Sequence, residues 1–278
     1  MLSFILAVVT SAMVSIFMRI SNGHVRNNIT MLSCNYLMCT VLAALCTQTT
    51  GLLPRGEGSG LALGLGLLNG VFYLGGFVML QWNIRKNGVA LPATFMKLGV
   101  LAPTIMAITL FGETPTVAQI IGIVMAVAAI VLIQSEKGQG KAQSALGLVA
   151  LLLTGGMADG MSKVYEFYGA PALKDHFLLY TFFSALVLCT ILALVKKQSI
   201  SLPDVGFGLL VGIPNYLTSR FLLWSLDTIP AVVAYPAYSV GTIVLVTLAG
   251  WGIFREKLSR RQLLSLGVIL AALALLNL

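Results

Sequence analysis

The chain has 278 residues, of which 58% are hydrophobic and only 9% charged. Soluble domains carry about 25% charged residues, so this composition excludes soluble catalytic domains and points to a bilayer as solvent. The net charge of +8 does not imply nucleic acid as a partner, because the basic residues sit mostly in short loops beside apolar runs, where they determine membrane topology.

Windows of roughly 20 apolar residues, long enough to cross the hydrocarbon core, predict ten helices, at 2–20, 30–49, 61–82, 89–110, 116–134, 145–165, 176–195, 205–226, 229–253 and 261–277. The first lacks the basic leader and small-residue cleavage site of a signal peptide and is expected to stay in the mature protein. Cys34, Cys39, Cys46 and Cys189 lie in predicted spans with no CxxC pairing; they are read as core residues, with no metal site or disulfide framework. In the third span Asn69 and Tyr73 share a face at i, i+4. They either line a cavity or bond between helices. The glycines around them, Gly64, Gly66, Gly70, Gly75 and Gly76, are read as close-packing positions.

Lys97 stands about eight residues into the fourth span, or roughly 12 Å from its end at 1.5 Å per residue. A cation there meets a substrate carboxylate or phosphate, snorkels, or pairs with Asp159. After the fifth span the run SEKGQGKAQS is the most polar connection and the natural boundary between halves. The sixth span holds Asp159 and Lys163 at i, i+4, the order that favours an internal salt bridge. The alternative gives Asp159 to a substrate amine or a coupling proton. In the eighth span Asn215, Tyr216 and Arg220 follow Pro214, which is a candidate for opening the backbone. Arg220 lies too deep for easy snorkelling, and its planar fork suits a carboxylate. The ninth span carries Tyr235, Tyr238 and Ser239 on one face beside Pro236. His24 and His176, in or beside loops, are expected to be solvated.

A shift of 144 residues superposes Thr10 on Thr154, Met13 on Met157, Arg19 on Lys163 and Pro92 on Pro236. Small gaps add Asn69 on Asn215 and Phe111–Glu113 on Phe254–Glu256. The common order predicts two five-helix repeats, 1–135 and 144–278, joined by a polar linker at 136–143. Charge supports opposite orientations for the two. Eleven Lys and Arg fall in odd-numbered loops (Arg26, Arg85, Lys86, Lys137, Lys141, Lys196, Lys197, Arg255, Lys257, Arg260 and Arg261), against Arg55 and Lys174 in even ones. Odd loops are thus expected in the cytoplasm and both termini outside.

The run from Ile229 to Leu278, IPAVVAYPAYSVGTIVLVTLAGWGIFREKLSRRQLLSLGVILAALALLNL, resembles the last two helices of small multidrug-resistance proteins, and Met18–Gly23 resembles the end of their first helix. With the ten-helix repeat, the chain resembles the drug/metabolite transporter superfamily, most of all its bacterial EamA-type members. That resemblance implies transport, with export as the direction. The proton-exchanging glutamate of the small drug exporters is missing: its positions, eight residues before Arg19 and Lys163, hold Ser11 and Gly155. Their substrate-facing aromatics fall on Tyr235 and Tyr238, and on Leu91 and Thr94 in the first half.

The expectation is therefore an all-α membrane protein of the bacterial inner membrane, with ten transmembrane helices as two inverted five-helix repeats. No GxSxG, HExxH or P-loop is present, so neither an enzyme nor a directly ATP-driven pump is expected, and no cofactor. The favoured function is alternating-access secondary transport of a small metabolite bearing a carboxylate or phosphate, an amino acid among the candidates. Lys97, Arg220, Asn215, Tyr216, Asp159, Asn69, Tyr73, Tyr235, Tyr238 and Ser239 are the candidate substrate contacts. Two alternatives stand beside it, a proton-coupled exporter of organic cations and a non-transporting accessory protein. The lipid bilayer, a small-molecule substrate and a coupling proton or ion are the partners considered, and a monomer is the default.

Overall fold

A computed structural model of the chain describes residues 1–47, 51–87, 90–134, 144–255 and 260–276. The described residues form helices and no strand: α1 (Leu2–Ser21), α2 (Asn28–Cys46), α3 (Ser59–Asn87), α4 (Ala90–Leu98), α5 (Leu101–Thr109), α6 (Val117–Gln134), α7 (Ala145–Tyr168), α8 (Lys174–Val195), α9 (Leu202–Ser225), α10 (Ala231–Gly252) and α11 (Arg260–Leu276). Among the described residues six helical stretches are long and apolar enough to cross a membrane: Leu2–Ser21, Asn28–Cys46, Ser59–Asn87, Ala145–Tyr168, Pro171–Val195 and Ala231–Gly252. Shorter apolar stretches follow at Phe95–Thr109, Val117–Leu132 and Leu263–Leu276. The polar linker at 136–143 lies outside the described residues. So do Lys137, Lys141, Glu256 and Lys257, and the side chains of Leu91 and Thr94.

The fourth predicted span differs from expectation, because it is two helices, α4 and α5, meeting at Gly99–Val100. Pro103 has no N–H to offer the Gly99 carbonyl four residues back, and its ring crowds that carbonyl out of helical position. The Gly99 oxygen instead accepts the Ala102 N–H at 2.9 Å. Proline alone does not decide the outcome. Pro214 and Pro236 lie inside α9 and α10, which run on through them.

By their contacts the residues divide into two compact units, each drawing on both halves of the sequence. The first comprises Met1–Leu74 and Val164–Asp227; the second comprises Gly75–Lys163 and Thr228–Leu278. In the first unit α9 packs on α1 and α2, and α2 packs on α8. Small residues permit this closeness: a Cβ added at Gly212 of α9 would lie 2.6 Å from the Met38 Cβ of α2. One added at Gly70 of α3 would lie 2.5 Å from the Ser184 Cβ of α8. In the second unit α6 pairs with α11, and α10 packs on α5, α6 and α11. There α7 meets the α4–α5 break backbone to backbone, with Gly156 against Gly99.

Hydrogen bonds between connections sort them by end. In the first unit the Arg26 and Asn27 N–H groups of the α1–α2 loop donate to Asp204 Oδ1, at 2.8 and 3.3 Å, at the start of α9. Asp204 also completes a capping box with Ser201. At the other end of that unit His176 Nε2 donates to the Gly51 carbonyl (2.8 Å), Tyr180 Oη donates to the Leu52 carbonyl (2.9 Å), and Lys174 pairs with Asp227. His176 is thus buried and bonded, contrary to the solvated position expected for it. The α2–α3 loop, which supplies the Gly51 carbonyl, provides a partner that the place of His176 in the sequence does not reveal. In the second unit Ser144 N–H donates to Asn87 Oδ1 at one end, and Glu113 joins the start of α10 at the other.

Candidate functional site

The ten candidate residues fall into two groups, one in each unit. In the second unit the α4–α5 break, α7 and α10 contribute Lys97, Asp159, Tyr235, Tyr238 and Ser239. Lys97 stands two residues before Gly99, and Asp159 three residues after the Gly156 that packs on it. Both are half-buried. Among the described residues neither is held in a short ion pair. Tyr235 is fully buried and donates its hydroxyl to the Asp159 backbone carbonyl at 2.7 Å, fastening α10 to α7 at that level. Ser239 is buried one turn along α10, and Tyr238 is half-buried.

The i, i+4 salt bridge expected between Asp159 and Lys163 gives way to another pair. Lys163 Nζ lies 2.9 Å from Glu113 Oε1, with its charge 5.6 Å from the centre of the Phe111 ring. Glu113 also accepts the N–H groups of Ala231 (3.1 Å) and Val232 (2.8 Å), which open α10. The reason is electrostatic: a carboxylate at a helix N-terminus is fixed by unsatisfied N–H groups and the helix dipole, so it offers Lys163 a rigid acceptor. Sequence reasoning treated Glu113 only as the counterpart of Glu256. The available signal was a carboxylate just past a span, two residues from an aromatic, in a loop with no basic partner.

In the first unit the rings of Tyr36, Tyr73, Phe182 and Tyr216 form an aromatic cluster, with centroids 5.7 to 6.5 Å apart. Tyr73 Oη shares a hydrogen bond with Ser219 Oγ (3.1 Å), and Asn215 Nδ2 donates to Asn35 Oδ1 (3.2 Å). Asn215 is therefore bonded between helices. Asn69, its match in the repeat, is 1% exposed, and its Oδ1 has no hydrogen-bond partner among the described residues. Arg220 Nε lies 3.0 Å from Asp175 Oδ1, and its guanidinium stacks 4.3 Å from the centre of the Trp224 ring. Asp175 was missed because it precedes Arg220 by 45 residues. An acid opening one span pairs with a base near the end of another only once the two helices are set side by side.

The EamA-like transporter family matches residues 1–135 and again 145–278. An uncharacterized protein of Haemophilus influenzae (strain ATCC 51907 / DSM 11121 / KW20 / Rd) is 23% identical over 232 residues, covering 81% of this chain and 78% of that protein. A shorter match, 46% identical over 58 residues, covers 20% of this chain and 51% of the "Probable 4-amino-4-deoxy-L-arabinose-phosphoundecaprenol flippase subunit ArnE" of Klebsiella pneumoniae (strain 342). One crystal structure superposes with a TM-score of 0.68 at 17% identity, over 99% of this chain and 94% of the other, a likeness of fold.

Proposed function

The chain belongs to the EamA-like transporter family, and from that premise we propose that it is a secondary active transporter of a small metabolite bearing a carboxylate or phosphate. Lys97 carries the proposal. A charge in a span costs roughly 2.5–3.5 kcal/mol on insertion scales, a cost that an anionic ligand offsets. Lys97 is half-buried and is not held in a short ion pair among the described residues. Asp159 supplies a second, negative pole, so a molecule carrying both charges fits best, and an amino acid is the simplest. The ArnE relative is named for a cargo with an amine and a phosphate, the same pairing of charges. Arg220 ranks behind Lys97 as a substrate contact, since Asp175 already answers its charge. Tyr238 and Ser239 extend the second unit's group, while Asn69, Tyr73, Asn215 and Tyr216 form a separate group in the first unit.

The topology proposed with this function has ten crossings, with α4 and α5 together making one, and inverted repeats working by alternating access. Two observations support it. The family matches each half separately, and the bonded connections pair odd with odd and even with even within each unit. With basic odd loops, the proposed orientation has both termini outside the bacterial inner membrane. Export is the proposed direction. A second reading, proton-coupled export of a cation, draws on the same Asp159 carboxylate; it requires that Asp159→Asn abolish efflux and Lys97→Ala spare it.

The test is a thermal-shift screen of purified protein against carboxylates, phosphates and amino acids, followed by uptake of each stabilising compound into proteoliposomes. A lost charge-assisted hydrogen bond is worth about 1.5–3 kcal/mol, so Lys97→Ala should weaken binding about ten- to hundredfold. Unchanged affinity in both Lys97→Ala and Arg220→Ala refutes the charge argument.

A further inference from the structure

Two ion pairs lace the start of α8 to the end of α9. Lys174 pairs with Asp227, and the next residue, Asp175, takes Arg220, whose Nε lies 3.0 Å from Oδ1 and whose Nη2 donates to Oδ2 at 3.2 Å. Asp175 thus occupies the guanidinium from the side. Trp224, one turn on, covers a face of it at 4.3 Å. The end-on edge, which carries Nη1, has no partner among the described residues. Such an edge is a planar fork matched to a carboxylate or a phosphate. Its surroundings decide between them. Leu210, Ile213, Leu217, Arg220 and Trp224 follow one another at i+3 and i+4, along one face of α9, and Arg220 is the charged member. Leu210, Ile213 and Trp224 are exposed. Val211, Gly212, Thr218 and Leu222 are buried, in a helix that packs on α1 and α2. An exposed face that stays apolar for about four turns of a membrane helix meets hydrocarbon.

We infer that the open edge of Arg220 binds the phosphate of a membrane phospholipid whose acyl chains lie along this stripe of α9. Depth agrees with that occupant. Arg220 stands five residues, about 8 Å, before the last residue of α9, a distance an arginine side chain spans toward the headgroups. Trp224 lies nearer that end, where aromatic residues meet the interface. Charge selects the headgroup. Lys174, Asp175, Arg220 and Asp227 sum to zero, so the cluster offers an anionic lipid no net attraction. The Asp227 side chain is 51% exposed, against 8% for Lys174, so its carboxylate is open to an ammonium as well. A zwitterionic headgroup, phosphoethanolamine, answers both open charges. Asp175 is a positioning residue, because it takes the side of the guanidinium and leaves the end-on fork to the lipid. The inference rests on the membrane crossing of α9 proposed above and on no property of the transported substrate.

The experiment is native mass spectrometry of the full chain in detergent, titrated with phosphatidylethanolamine or phosphatidylglycerol. One phosphatidylethanolamine should bind about tenfold or more tightly than further copies. Arg220→Gln should weaken that first step about ten- to hundredfold. Arg220→Lys should not restore it, because a point charge lacks the fork. Lys97→Gln, in the second unit, should leave it unchanged. Asp227→Asn raises the charge of the cluster by one and should turn the preference toward phosphatidylglycerol. Glycerophosphoethanolamine, the same headgroup without acyl chains, should compete at least about hundredfold more weakly. Competition as strong as the lipid's makes a soluble phosphate compound the occupant and overturns the inference. Equal lipid binding by wild type and Arg220→Gln overturns it too. Should Arg220→Gln fail to fold, Asp227→Asn decides alone, and an unchanged headgroup preference refutes the site. If the lipid step ignores Arg220→Gln while a compound is still transported, the lipid site falls and the transport proposal stands. If the lipid behaves as described and no compound is bound or moved, the transport proposal falls instead.

Discussion

Replacing Gly156 by alanine tests the contact of α7 with the α4–α5 break, three residues before Asp159 on one side and two residues after Lys97 on the other. A Cβ at Gly156 would lie 2.6 Å from the Ala102 Cβ and closer still to the Gly99 carbonyl oxygen. Carbon atoms rest about 3.5–4.0 Å apart, so α7 must retreat from the α4–α5 break by about 1 Å. The opposing groups are backbone and a short side chain, which cannot swing aside. Overpacking of this kind costs about 1–3 kcal/mol, while the gain in helix propensity from Gly to Ala returns up to about 1 kcal/mol. The net loss of about 0–3 kcal/mol corresponds to a fall in Tm of up to about 12 °C, at about 2–4 °C per kcal/mol. Gly64→Ala is the control, because nothing lies within 4 Å of a Cβ added there. It should raise Tm slightly. Both variants are compared by intrinsic-fluorescence melting in one detergent. If Gly156→Ala gains as much as Gly64→Ala, the packing argument fails.

Asp175→Asn leaves the Arg220 guanidinium near a span end without its carboxylate. Both side chains are about one-fifth exposed, 22% and 23%, so the buried-pair cost is discounted, and a double-mutant cycle with Arg220→Met should show a coupling of roughly 1–2 kcal/mol. A coupling near zero would mean that Trp224 and the bilayer, rather than Asp175, hold Arg220. The charge-based topology predicts that a single cysteine at Arg55, in a chain freed of its own cysteines, reacts with a membrane-impermeant maleimide applied to whole cells. One at Gln198 should react only after lysis, and the reverse pattern would invert the proposed orientation.

Membrane character was legible in the chain because it depends on composition and run length, which are sums over sequence and need no partner. The expectation of two repeats came from residues such as Arg19 and Lys163 that keep their order at a fixed offset; the EamA-like transporter family matches residues 1–135 and again 145–278. Lys97 and Asp159 stood out because a charge in a span is costly wherever the helix lies. Partners were a different matter. The expected Asp159–Lys163 bridge followed from i, i+4 geometry, the one kind of contact that a single helix determines by itself. Tertiary packing replaced it with Glu113, 50 residues away in the chain and fixed by the start of a helix that begins more than 100 residues later.

His176 and Arg220 show the same division. Each was judged by its depth along its own helix, and each acquired its environment from another segment, His176 from Gly51 and Arg220 from Asp175. The α4–α5 break lies in between. Pro103 was visible in the sequence, yet Pro214 and Pro236 sit within continuous helices, and the close approach of Gly156 to Gly99 accompanies the break where it occurs. Sequence by itself determined what depends on local energies: the apolar runs, the loop charges, and the cost of a lysine or aspartate within a span. Only the tertiary structure decided which charge answers which, because Coulomb and hydrogen-bond energies fall off over a few ångströms and the distances are set by packing rather than by chain order.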